Sequence, residues 1–232
     1  MEFSLLGLWS AMGIPAKLVV VVLIFLSVYS IAIMIERALV LKRTRQQCQA
    51  FSELMRGENQ EWTMAGVITQ AQSPERGRNC YLAEVMGTAL QKGKVMLERG
   101  QTAAVVLTTA ETEVTRSISV TAATLRKRLV QLASTSTGAP FVGLFGTILG
   151  LIRAFQTIAT TGSGGLTAVA AGIGEALIAT MVGLFVAIPA LWAHNYFSDK
   201  IENLMVEIDT TASRMVEELL QKEISARGVR TA

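Results

Sequence analysis

Histidine occurs once in this 232-residue chain, at His194, cysteine twice, and aromatic residues make up only 6%. A single histidine nearly excludes a His-based metal centre or a Ser-His-Asp arrangement, which depends on a placed imidazole. Cys48 and Cys80 form no metal-binding spacing and read as free thiols. Charged residues are 17% of the chain, below the roughly 25% usual in soluble domains. The net charge of +3 comes with no basic stripe interleaved with aromatics, so no nucleic-acid partner is expected. The sharpest scarcity lies between Leu129 and Ser198, where Arg153 and Glu175 are the only formal charges.

What remains is apolar and rich in small residues: 51% hydrophobic, with 19 glycines. That composition points to an all-α membrane protein. Leu18 to Ile35 (LVVVVLIFLSVYSIAIMI) carries no charge, and with its flanks a first span covers 18–41. A secretory signal peptide would need a basic leading region, yet only Glu2 precedes Lys17 in charge. A second span covers 129–158 and a third 166–196, separated by a short uncharged turn at 159–165 that includes TTGSGG. Arg37 to Arg128 holds fourteen of the 21 basic residues, whereas the first seventeen positions hold one and the turn none. Basic flanks stay in the cytoplasm. The N-terminal segment 1–17 and the turn are therefore expected outside, with the loop 42–128 and the tail 197–232 inside. In that compartment the two thiols would stay reduced.

Glycines and Ser73-Pro74 divide the loop into short helical pieces, but no Gly or Pro occurs from Thr102 to Thr137. One helix is expected to start near Thr102 and continue into the second span. In the tail, Ile201, Met205, Ile208, Ala212, Met215 and Leu219 recur every 3.5 residues on average, the period of a helix-packing seam. That seam can fold onto the protein's own loop or onto a neighbouring copy. The third span is expected to continue into it as one long helix.

An ionisable side chain at bilayer depth costs several kcal/mol on most estimates, roughly 3 or more, and marks a pathway by default. Glu175 is such a group. Thr147 and Glu175 each lie about 10 residues, or roughly 15 Å, from the outer turn, and Thr180 about 14 residues, or roughly 21 Å. Two hydroxyls and a carboxylate thus share one slab of the membrane, and hydroxyls can hold water or pass a proton. Thr180 stands about 140° around the helix from Glu175, so a ring of chains serves better than one chain to aim both at a path. Two bland alternatives stay open: each threonine can bond a carbonyl of its own helix, and Glu175 can simply pair with Arg153, unless that arginine reaches to the outer interface. Gly143, Gly146, Gly150, Gly172 and Gly183 allow close helix approach. Pro140 and Pro189 are expected to bend their spans.

These residues resemble the proton channel family of TolQ, ExbB and MotA. Residues 138–153, GAPFVGLFGTILGLIR, look like the family's second-span motif, and 172–190, GIGEALIATMVGLFVAIPA, like its third-span motif. The three-span layout is closer to TolQ and ExbB than to four-span MotA. The resemblance implies a homopentamer in the bacterial inner membrane, with its N-terminus in the periplasm. Two copies of a single-span TolR/ExbD-like partner, each with a membrane aspartate, would sit within the ring. It implies a stator subunit, not an enzyme and without cofactor or metal, that turns the proton motive force into mechanical work on the cell envelope. Outer-membrane integrity, energised import and gliding motility are the processes such chains serve. By position, Thr147 and Thr180 would be pore hydroxyls and Glu175 the intramembrane glutamate, while Pro140 and Pro189 would be motif prolines. A non-conducting scaffold that assembles partner helices is the alternative, and sodium in place of protons stays open.

Overall fold

The computed structural model describes residues 12–56, 62–72, 80–161 and 166–228, and no strand occurs among them. Six helices follow in order: α1 (Ile14–Arg56), α2 (Met64–Gln72), α3 (Tyr81–Glu98), α4 (Ala103–Arg126), α5 (Leu129–Thr161) and α6 (Leu166–Arg227). The outer segment expected at 1–17 and the turn at 159–165 fall largely outside the described residues. Three helices are long and apolar enough to cross a membrane, represented by Ile14–Glu53, Leu129–Thr160 and Gly172–Arg227. Pro15 stands in the first turn of α1, where a missing N–H leaves no helical bond unmade.

The chain forms two compact units: residues 1–36 with 128–197, and 37–127 with 198–232. In the first, α1, α5 and α6 pack through small residues. A Cβ placed on Gly143 would lie 2.9 Å from the Ala179 carbonyl oxygen, and one on Gly183 2.8 Å from that of Ala139. Gly146 faces Ala179 and Val19, while Gly150 and Gly172 face Ala176 and Ala154 across the same seam. Such contacts bring backbones together where lipid offers no hydrophobic drive between helices. Val19, Leu23, Ala139, Val186 and Ala187 form the buried cluster beside them. Phe25, Phe141, Phe185 and Trp192, in contrast, are at least 70% exposed. In a bilayer, lipid or another chain would cover them.

Pro140 and Pro189 lie inside continuous helices. Near Pro140 the hydroxyls of Ser134, Thr135, Ser136 and Thr137 all donate to carbonyls of their own helix. Their polarity is thereby satisfied locally.

In the second unit α2 packs on α3 and α3 on α4. The whole tail seam is buried, from Ile201 at 0% exposure to Leu219 at 8%. Gly93 of α3 meets the Leu220 side chain, and Leu107, Ala110 and Val114 of α4 lie along Ser213, Val216 and Leu220. The fold onto the protein's own loop, one of the two packings open from sequence, is present.

One expectation fails. The helix expected to run unbroken from Thr102 is interrupted at Lys127–Arg128. Arg37 donates to the Leu125 carbonyl at 3.1 Å, the acceptor that the Leu129 N–H would take in an unbroken helix. Gln131 N–H then bonds the Arg128 carbonyl three residues back, a tightened turn. The break falls at neither Gly nor Pro, and Arg37 of α1 bonds a carbonyl just before it.

Candidate functional site

Glu175 rises from α6 with its side chain 10% exposed. One carboxylate oxygen accepts the backbone N–H of Gly13 at 2.6 Å, and the other lies 3.6 Å from the Arg153 guanidinium on α5. The three groups come from three helices or their starts. Gly13 immediately precedes α1, where N–H groups lack helical partners and dipoles favour an anion. Its lack of a side chain matters here, because the space a Cβ would take is filled by the Arg153 guanidinium. Of the alternatives for Arg153, the ion pair is therefore the one that forms.

The threonines are arranged differently. Thr147 Oγ1 donates to the Leu144 carbonyl of its own helix at 2.6 Å. Thr180 Oγ1 is buried and, among the described residues, meets no hydrogen-bond partner. Leaving a buried hydroxyl unpaired costs about 1–3 kcal/mol, so such groups call for a reason. The Thr180 backbone packs against Gly143, one helical turn from Thr147. Thr180 thus lies beside the α5 face that carries Thr147. The structure joins neither hydroxyl to Glu175 by a hydrogen bond among the described residues.

Two participants were missed. Gly13 N–H has no sequence signature, because any residue but proline carries that donor. Ser30 of α1 is buried with its hydroxyl unpaired, like Thr180. A serine in the middle of a charge-free span was the available signal. No cluster of metal-binding side chains occurs among the described residues.

The profile of the MotA/TolQ/ExbB proton channel family matches residues 79–210. The chain belongs to this family. The match takes in the second and third long helices with Thr147, Arg153, Glu175 and Thr180. The biopolymer transport protein ExbB of Xanthomonas campestris is 47% identical over 88 residues, 38% of this chain and 35% of that protein. The Tol-Pal system protein TolQ of Haemophilus influenzae is 28% identical over 201 residues, 86% of each. TolQ of Pseudomonas aeruginosa is 48% identical over 81 residues, 35% of each. The strongest matches thus span about a third of those relatives' length, whereas the match to the Haemophilus protein runs through most of both chains. This MotA/TolQ/ExbB chain is a transmembrane protein of the TolQ/ExbB kind.

Proposed function

We propose that this chain is the channel-forming stator subunit of a bacterial inner-membrane motor driven by protons, with the N-terminus in the periplasm and the tail in the cytoplasm. In this reading residues 18–41, 129–158 and 166–196 lie in the bilayer, and several copies, five by analogy, enclose single-span partners of the TolR/ExbD kind. A membrane aspartate on each partner carries the proton. Thr147 and Thr180 line the path, and Glu175 sets its field from a fixed position. The observation that carries this is the buried, unpaired Thr180 hydroxyl, in the same helix pair as Glu175 and inside the region matched to a proton channel family. A hydroxyl without a partner among the described residues can bond water or a partner carboxylate. The driven work would be outer-membrane maintenance, energised import or gliding.

The test is proton flux into liposomes holding the chain together with its single-span partner. Thr180→Val and the double change Thr147→Ala/Thr180→Val are expected to cut flux at least tenfold, and Glu175→Gln to reduce it, with assembly unchanged. Wild-type flux in all three would reject these residues as the pathway.

One observation favours a second reading. Glu175 is engaged by both Gly13 and Arg153, as a purely structural brace would be. A scaffold of that kind would assemble partners without conducting, and the same liposomes would then show no flux above that of empty ones.

A further inference from the structure

Cys48 of α1 and Cys80, the residue before α3, stand 32 positions apart in sequence, yet their sulfurs lie 3.7 Å apart inside the second unit. Both are reduced, and they are 7% and 2% exposed. Neither belongs to the proposed ion pathway. A disulfide brings its sulfurs to about 2.05 Å, so closure asks for an approach of roughly 1.7 Å. Cys80 is placed to make it. It caps α3 with extended backbone (φ −106°, ψ 100°), outside the rigid helical repeat.

The two sulfurs are not equivalent. The hydrogen-bond contact with Cys48 pulls the Cys80 thiol down, and the N–H dipoles of Ala83 and Leu82 at the helix start add to that against the opposing effect of burial. The same contact, with burial, pushes the Cys48 thiol up. The Cys80 thiol is thus the more readily ionised of the two, with the Cys48 sulfur within reach.

We propose that Cys48 and Cys80 form a peroxide-reactive dithiol site whose oxidation ties α1 to the start of α3. The Cys80 thiolate attacks one oxygen of hydrogen peroxide, the O–O bond breaks, and hydroxide leaves to be protonated to water, giving a sulfenic acid. The Cys48 sulfur then loses its proton and attacks the Cys80 sulfur. The S–O bond breaks, its oxygen departs as a second water, and the S–S bond forms. The sulfur pair gives up two electrons in all, and the peroxide takes them. A cytosolic dithiol reverses the bond by two exchange steps and is itself oxidised to a disulfide.

The experiment treats the reduced full-length protein, in lipid nanodiscs, with hydrogen peroxide and maps its thiols by mass spectrometry. The expected result is loss of both free thiols to one bond within a single chain, restored by dithiothreitol, while a bulky maleimide reacts slowly. In Cys48→Ala no bond within the chain can form, and peroxide leaves Cys80 as a sulfenic acid, formed more slowly than the wild-type bond because the contact that lowers its thiol is gone. In Cys80→Ala, oxidation of Cys48 is slower by roughly tenfold or more, because the thiolate is lost. Should a variant lose its helical circular dichroism, the wild-type map alone decides. Bonds only between chains, sulfonic acids without a bond, or closure only after denaturation would each overturn the proposal.

Discussion

At Gly13 a single missing carbon lets three charges and dipoles converge. The Arg153 guanidinium fills the place of a side chain there, and the Gly13 N–H reaches Glu175. Gly13→Ala should therefore push Arg153 aside and leave Glu175 without its cation. The expected loss is about 1–3 kcal/mol, the usual range when a buried polar group loses a partner. Thermal unfolding in detergent measures it, and the control is Arg153→Ala. With the guanidinium gone the added methyl has room, so Gly13→Ala should cost clearly less in that background than in the wild type. Equal losses in both backgrounds would mean that Gly13 acts only through its backbone. The sequence made part of this legible. A lone acid and a lone base in a charge-free stretch left pairing open as the bland alternative to a pathway acid, and the pair is present. The third member was not legible, because a backbone donor is the same in every residue that carries an N–H.

The helix pair α5 and α6 shows what glycine spacing can and cannot tell. Gly143, Gly146, Gly150, Gly172 and Gly183 all stand where a Cβ would press on the opposite helix. Gly138 and Gly174 belong to the same motifs, yet a Cβ on either would meet nothing within 4 Å. Sequence cannot separate the two groups, since facing depends on how the helices cross. The difference is measurable. At Gly143 and Gly183 the obstruction is a backbone carbonyl, which cannot swing away as a side chain would. Alanine at either position should lower stability by about 1–3 kcal/mol, the range for overpacking. Gly138→Ala should leave stability unchanged or raise it by up to about 1 kcal/mol, because alanine favours a helix. Steric-trap or denaturant unfolding in detergent distinguishes the two, and a cost at Gly138 equal to that at Gly143 would contradict this packing. The break at Lys127–Arg128 teaches the complementary lesson. Propensity alone allowed one helix, yet the break comes just after Leu125, whose carbonyl Arg37 bonds from 88 residues away in sequence.

For the whole molecule, hydropathy made three long helices legible, and their motifs made the family legible. The 3.5-residue seam of the tail was legible as a seam, but its partner was not, since a packed stripe looks alike whether it meets its own chain or another. The first unit poses the same question in reverse. Among the described residues its Phe141, Phe185 and Trp192 are at least 70% exposed, and its Thr180 hydroxyl has no partner. Lipid can cover an aromatic ring but cannot satisfy a hydroxyl, and in the proposed ring water or another chain reaches Thr180. A ring of copies supplies both a covered seam and an interior open to water or partner helices. The expected native mass in mild detergent is that of five copies of the 25.0 kDa chain, read after correction for bound detergent. If the proposed ring closes over Phe141 or Phe185, a lysine at either position would be desolvated and should shift the mass toward the single chain. A wild-type protein that runs as one copy at every concentration would leave Thr180 without its second chain, and the conducting ring would have to be abandoned.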